Sequence, residues 1–343
     1  MKLRSLLALL PVAANAFAPA ISLSAQLNNI HSAKIKCRLR TAAAPVATAT
    51  LPERTAVSAS LPLAYEFVYG ADSADEKDTP TCVLVHGILG SRRNLVSFAK
   101  RLADAFPRWR FMLVDLRCHG ESSGRTSAGD HSVESAAQDV IDLCRALGIY
   151  PIMLMGHSFG GKVAMQMIQM AGRILPRPVQ VWVLDTVPGD AWLRDGGDHP
   201  RDTIEFVRTL PVPFDSRKSL VDSLTSAGFT VEGAQWMATN LKPVEKGSRE
   251  LTWTFDISGI VELYASYERC DLWPMLETRA KNCHLDFVRA ERSAFVWRDD
   301  DVQRIGEAGA GVHMLSDSSH WVHIDNPDGL LQILAPSFSA MER

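Results

Sequence analysis

The run Gly156-His157-Ser158-Phe159-Gly160-Gly161 lies between an apolar stretch, Ile152-Met153-Leu154-Met155, and a segment of helical character, Lys162-Val163-Ala164-Met165-Gln166-Met167-Ile168. A serine on so tight a strand-to-helix turn is held in a strained backbone geometry with its hydroxyl exposed. Its neighbours must be small, because strand and helix pass close together there. The pattern G-x-S-x-G by itself recurs by chance. The strand–turn–helix context is what makes Ser158 a candidate nucleophile.

The rest of the body repeats that alternation. Leu63 to Tyr69, Thr81 to Val85, Phe111 to Val114 and Val179 to Leu184 read as strands. Asn94 to Ala105 and Val133 to Leu147 read as helices, the second capped by Ser132. Continuous apolar runs separated by helices indicate strands buried on both faces, hence an α/β fold with a mostly parallel sheet. Sites on such sheets form at the carboxyl ends of strands. His86-Gly87, Asp115, Ser158 and Asp185 all fall at such ends.

From 188 to 278 the rhythm stops. Helical stretches (Ile204 to Leu210, Ser219 to Ala227, Gly233 to Leu241, Ile257 to Tyr267) suggest an inserted helical cap. The core then comprises 56–187 and 279–343. Leu285 to Val288 and Val312 to Leu315 read as its last strands, with helices near Val302 and after Pro327.

Five stretches together resemble the α/β-hydrolase serine esterases, in particular their ABHD11-like and YbfF-like branch. They are His86-Gly-Ile-Leu-Gly-Ser, Asp115-Leu-Arg-Cys-His-Gly, Gly156-His-Ser-Phe-Gly-Gly-Lys-Val-Ala-Met, Leu184-Asp-Thr-Val-Pro and His320-Trp-Val-His-Ile-Asp-Asn-Pro. Thr239-Asn240-Leu241 and Trp253-Thr254-Phe255 also fit. The resemblance covers roughly residues 62–340. It departs at Ser319, where the family has Gly, and from Ala191 to Arg201.

The resemblance implies a twisted sheet with helices on both faces, and ester hydrolysis through an acyl-enzyme. Ser158 would be the nucleophile and His320 the base, with His323 as the alternative. The backbone amides of Ile88 and Phe159, in the loop context of His86 and Gly87, would face the oxyanion; such donors are worth about 3 kcal/mol each. His119 would brace the site, while His157 is expected to face away from Ser158. The acid is less determined. Ser293 stands where the family's acid is usual, after the seventh strand. Asp185 is preferred instead, Glu291 is the alternative, and the Asp299–Asp301 cluster is a further candidate whose other reading is a solvated helix start. Ser158 argues against chemistry that needs an aspartate nucleophile. A thioesterase, another acyl hydrolase or a non-catalytic ligand-binding protein of this fold stays open. No cofactor and no metal are called for.

The net charge of −3 conceals an asymmetry. Residues 1–52 hold six Lys/Arg and no acid, which leaves −9 on the remainder. An acidic body argues against a nucleic-acid partner. The expected partner is a small acyl ester or lipid, and the oligomeric state is left open. Among the six cysteines there is no C-x-x-C pair and no zinc-type spacing. Cys82 and Cys144 read as buried thiols, and Cys118-His119 as structural neighbours pointing apart.

Residues 1 to about 55 read as an address, not as part of the fold. Leu6 to Ala14 is apolar but too short to span a bilayer, and Ala14-Asn15-Ala16 suits signal cleavage. The sequence after it is rich in Ala, Ser and Thr, as transit peptides are. Ala16-Phe17-Ala18-Pro19 resembles the junction of bipartite presequences in algae with secondary plastids. Plastid targeting is the expectation, with mitochondrial or secreted as alternatives.

Overall fold

The computed structural model describes residues 61–73, 78–125, 129–172, 175–190, 199–278, 283–293 and 295–341. The leader, Cys37, most of the Ala191–Arg201 stretch and the boundary at 279 lie outside the described residues.

The first half comprises β1 (Tyr65–Tyr69), β2 (Thr81–Val85), α1 (Val96–Ala105), β3 (Arg110–Val114), α2 (Val133–Leu147), β4 (Met153–His157), α3 (Phe159–Met170) and β5 (Gln180–Leu184). An insert follows: α4 (Pro200–Thr209), α5 (Arg217–Ser226), α6 (Val231–Ala238), β6 (Leu241–Pro243), β7 (Leu251–Trp253), α7 (Ile257–Arg269) and α8 (Trp273–Thr278). The chain closes with β8 (His284–Arg292), α9 (Asp299–Glu307), β9 (Gly311–Ser319), α10 (Val322–Asp325) and α11 (Pro327–Met341).

Among the described residues, seven strands form one sheet in the order β1-β3-β2-β4-β5-β8-β9. Only β1, at the edge, runs antiparallel to its neighbour. The other pairs are parallel. Every residue of β2, β3, β4 and β5 is buried, which is why these strands read as unbroken apolar runs.

Alternate residues of each strand serve opposite faces. Val83, Val85, Met112 and Val114 pack with α2 and α3. Cys82, Leu84, Phe111 and Leu113 pack with α1 and α11. On that second face Phe338 stacks on Phe106 at 4.5 Å and meets Trp109 edge-on at 4.8 Å. Truncating so buried an aromatic to Ala costs about 3–5 kcal/mol. α2 starts where Ser132 Oγ accepts from Ser135 N at 3.1 Å, and it ends at Gly148, in the left-handed region at φ 64°. Cys82 and Cys144 are buried free thiols. Burial pushes the Cys144 pKa up to about 12.

The insert differs from its sequence reading in one respect. The helix expected from Gly233 to Leu241 ends at Ala238, and Leu241 begins an antiparallel hairpin with Leu251–Trp253. Three-residue strands are too short to show a period of two. Phe214 extends the hairpin by a bridge to Leu251. No helix among the described residues is long and apolar enough to cross a membrane.

Candidate active site

Ser158 joins β4 to α3 with φ 53° and ψ −118°, a conformation that non-glycine residues rarely adopt. The fold over-determines it. Ser158 N donates to Leu184 O at 2.9 Å, and Gly161 N donates to Ser158 O at 2.8 Å. A Cβ on Gly156 would come within 2.1 Å of Gly160 O, and one on Gly160 within 2.4 Å of Val85 O. Both small residues of the motif are therefore required by contact with backbone.

His320 follows β9 directly. Its Nδ1 lies 2.9 Å from Asp185 Oδ2. Asp185 directly follows β5 at φ 48° and is fully buried. Two further donors reach its carboxylate from the end of β8: Ala290 N at 3.1 Å to Oδ1 and Ser293 Oγ at 2.9 Å to Oδ2. Removing a donor from a buried carboxylate is costly, because hydrogen bonds to charged groups contribute about 1.5–3 kcal/mol. The imidazole is also held from its sides. Phe295 meets it edge-on at 5.2 Å, and the His157 ring lies 4.6 Å away.

The other carboxylates considered from sequence are engaged elsewhere. Glu291 is exposed and accepts from Asp317 N at 2.8 Å. Asp299 to Asp301 form the first turn of α9, where Asp301 pairs with Arg298 at 2.8 Å. His323 is buried against the His157 ring at 5.1 Å, and burial lowers its pKa to about 4. His157 corrects the sequence reading. Rather than turning away from the site, it donates from Nε2 to His320 O at 2.7 Å and lines the same cavity as Ser158.

The loop after β2 is braced by two neutral histidines. His86 Nδ1 donates to Gly87 O at 2.8 Å, and Nε2 accepts from Leu116 N at 3.0 Å. His119 Nδ1 donates to Arg117 O at 2.7 Å, and Nε2 accepts from Leu89 N at 3.1 Å. Each ring uses one nitrogen as donor and one as acceptor, so the uncharged form fits. Burial lowers their pKa values to about 4 and about 3 respectively. Gly87 lies so close that a Cβ there would be 3.3 Å from Ser158 Cβ. Phe159 heads α3, where an amide has no intrahelical acceptor. Beneath the loop, the Asp115 carboxylate pairs with the Arg92 guanidinium and accepts from Arg92 N at 2.7 Å. From the insert, Asn240 Nδ2 donates to Leu89 O at 2.8 Å, which fixes the loop from above.

Ser158 and His320 line one cavity of about 360 Å³ together with Ile88 and residues of the insert. Leu224, Phe229, Trp236, Met237, Phe295 and Trp321 give it an apolar wall. Sequence reasoning missed Ser293, Phe295 and Asn240 as parts of the site. Ser293 carried a signal as a serine at a position where an acid was expected, and Asn240 as part of a stretch shared with the family, whereas Phe295 carried none.

Comparison with known proteins agrees with this architecture. The sn-1-specific diacylglycerol lipase ABHD11 of Mus musculus is 28% identical over 280 residues, 79% of this chain and 83% of that protein. Esterase YbfF of Escherichia coli (strain K12) is 25% identical over 261 residues, 74% of this chain and 90% of that protein. The solved structure of a marine microorganism esterase superposes with a TM-score of 0.65 at 23% identity, covering 81% of this chain and 99% of that one. At that identity the likeness speaks for the fold. Residues 82–333 match the description "Alpha/beta hydrolase family", and on that extent of match the chain belongs to the alpha/beta hydrolase family.

Proposed function

We propose that this chain hydrolyses carboxylic esters of acyl or lipid type, with Ser158 as nucleophile, His320 as base and Asp185 as its orienting acid. The observation that carries the reading is the 2.9 Å contact between His320 Nδ1 and the buried Asp185 carboxylate, beside a cavity lined by both Ser158 and His320. Ser158 Oγ attacks the acyl carbonyl carbon while His320 Nε2 takes the hydroxyl proton. The carbonyl electrons pass to oxygen, where the amides of Ile88 and Phe159 stabilise the charge. Collapse expels the alcohol, which takes the proton from His320. Water then repeats the attack, giving a proton to His320; the Ser158 Oγ–acyl bond breaks, Ser158 takes that proton back, and the acid leaves. Asp185 keeps the proton on Nδ1 and stabilises the imidazolium in both halves.

The apolar wall supports an acyl chain as the recognised part, and a cavity near the lower end of the usual ligand range of ~300–1,000 Å³ suits one chain. Relatives named as a diacylglycerol lipase and an esterase support lipid or simple esters. The experiment is labelling with a fluorophosphonate probe, together with hydrolysis of acyl esters and diacylglycerol over graded chain lengths. Ser158→Ala should abolish labelling and nearly all turnover. Undiminished labelling of that variant rejects the assignment.

Residues 1 to about 55 serve, in the same proposal, as a plastid address. The support is their acid-free basic composition and the Ala16-Phe17-Ala18-Pro19 junction. Phe17→Ala should divert a fluorescent fusion from the plastid, and entry into mitochondria or secretion with Phe17 intact rejects it.

A further inference from the structure

Outside the catalytic cavity, three side chains of metal-ligating type converge where the insert meets the core. Cys118 lies in the loop after β3, at φ 64°. His131 immediately precedes the α2 cap Ser132, and Asp256 is the N-cap of α7. Their ligand atoms all lie within 4.8 Å of one another. No sequence spacing announces them, because they come from three separate segments.

We infer that Cys118, His131 and Asp256 form a binding site for a divalent cation of the zinc class, clamping α7 of the insert to the core.

The geometry is close to what such an ion needs. With Zn–S at about 2.3 Å and Zn–N at about 2.0–2.1 Å, a tetrahedral centre puts sulfur and nitrogen about 3.5 Å apart. Cys118 Sγ lies 3.3 Å from His131 Nδ1. The third ligand is tethered at the right range, since Asp256 N donates to Cys118 O at 2.8 Å. Asp256 Oδ1 accepts from Ser258 N at 3.0 Å, which leaves Oδ2 for the ion. Asp256 is exposed, so its carboxylate can turn inward without repacking. Water completes the fourth position on that open side.

The surroundings also fit. α7 approaches so closely at Gly259 that a Cβ would meet Cys118 Sγ at 2.3 Å and His131 Cδ2 at 3.2 Å. Only glycine leaves this corner to the sulfur and the ring. Asp256 is the third donor of the cluster, and the Arg117 guanidinium beside it does not compete for the ligand atoms. The Arg117 guanidinium is itself engaged with both Asp139 oxygens, at 2.7 and 2.9 Å. Without the ion the thiol keeps its proton. Binding forms the metal–sulfur bond and releases that proton to solvent. Thiolate with imidazole selects zinc-like ions over magnesium or calcium.

The test is titration of the chelator-treated full chain with Co²⁺ as optical probe. One equivalent should bring a thiolate-to-cobalt charge-transfer band and four-coordinate visible bands, with release of one proton per ion; Zn²⁺ should bleach both and Mg²⁺ neither. Cys118→Ser should lose the charge-transfer band. Asp256→Asn, an exposed change that retains the cap on Ser258, should weaken binding about tenfold or more. Absence of the band in the native chain overturns the site, as does a band that survives in Cys118→Ser with a native circular-dichroism spectrum. Should Cys118→Ser fail to fold, unchanged Co²⁺ affinity in Asp256→Asn overturns it alone.

Discussion

Ser293 donates its hydroxyl to the same Asp185 oxygen that faces His320 Nδ1, at 2.9 Å in both cases. The strand position at which the family resemblance leads one to expect an acid therefore holds a donor that steadies an acid from the neighbouring strand. Ser293 is buried, so no water replaces that bond cheaply. Ser293→Ala should lower kcat by about tenfold with little change in KM, the cost of one hydrogen bond to a charged group. Steady-state kinetics check this, and a kcat equal to the native value would show that Ala290 N suffices to hold Asp185.

Asp185 and Glu291 make opposite demands on the chemistry. In the proposed triad, Asp185→Asn would leave His320 in the wrong tautomer and its imidazolium unsupported, which costs about 10⁴-fold in comparable triads. Glu291, exposed and bonded to Asp317 N, should tolerate Gln with less than about a twofold change, as surface substitutions usually do. Parallel kcat/KM measurements decide it. The reverse ranking would move the acid to β8.

Asp185 is preferred over Glu291 from its place at a strand end, but the geometry that brings it to His320 was not legible in the chain. It depends on β5 and β8 pairing in register, Leu184 opposite Val288, and on Asp185 then turning at φ 48°. Both are long-range or strained features that local patterns do not encode. The strands themselves were legible because burial on both faces makes them apolar throughout, and Ser158 because its glycines answer contacts one strand away. His157 misled for a related reason. A residue next to Ser158 on the strand is expected to point to the other face, yet the His157 ring reaches the His320 backbone, a long-range contact that local alternation does not encode.

Four buried histidines, His86, His119, His157 and His323, should make the protein lose stability in mild acid. Burial lowers each folded pKa: to about 4 for His86 and His323, to about 3 for His119, and well below 6.5 for His157. The unfolded chain binds protons near 6.5, so between about pH 6.5 and 4 it holds more protons than the native state. Stability is therefore fully present above 6.5 and lost as pH falls through that window. Each histidine contributes a slope of up to about 1.4 kcal/mol per pH unit. Urea unfolding across the window measures the total, and His323→Phe should flatten it by about one proton. A pH-independent midpoint would contradict neutral burial.

Lys162 ties the insert to α3, the helix that starts directly after Ser158. It is fully buried in α3, and its Nζ donates at 2.8 Å to three carbonyls: Gly189 O beyond β5, and Tyr267 O and Cys270 O at the end of α7. An ammonium at a helix C-terminus satisfies carbonyls that the helix leaves unpaired and complements its dipole. The Tyr267 ring lies 4.5 Å from Nζ and adds a cation–π contact. Burial pulls the Lys162 pKa down to about 8, with Cys270, Asp190, Asp271 and Glu268 opposing the shift, so the ammonium form still predominates at neutral pH. Lys162→Met retains the apolar stem but strands the carbonyls, a loss of about 3 kcal/mol or more. For a chain of this size that corresponds to a fall in Tm of roughly 5–10 °C. Because two of the carbonyls belong to α7 and one to the exit of β5, the insert should loosen before the sheet does. Hydrogen exchange should therefore rise first in α7 and α8, at temperatures where β2 to β5 stay protected. A Tm within about 1 °C of native, or uniform exchange, would show that Lys162 is not the tie.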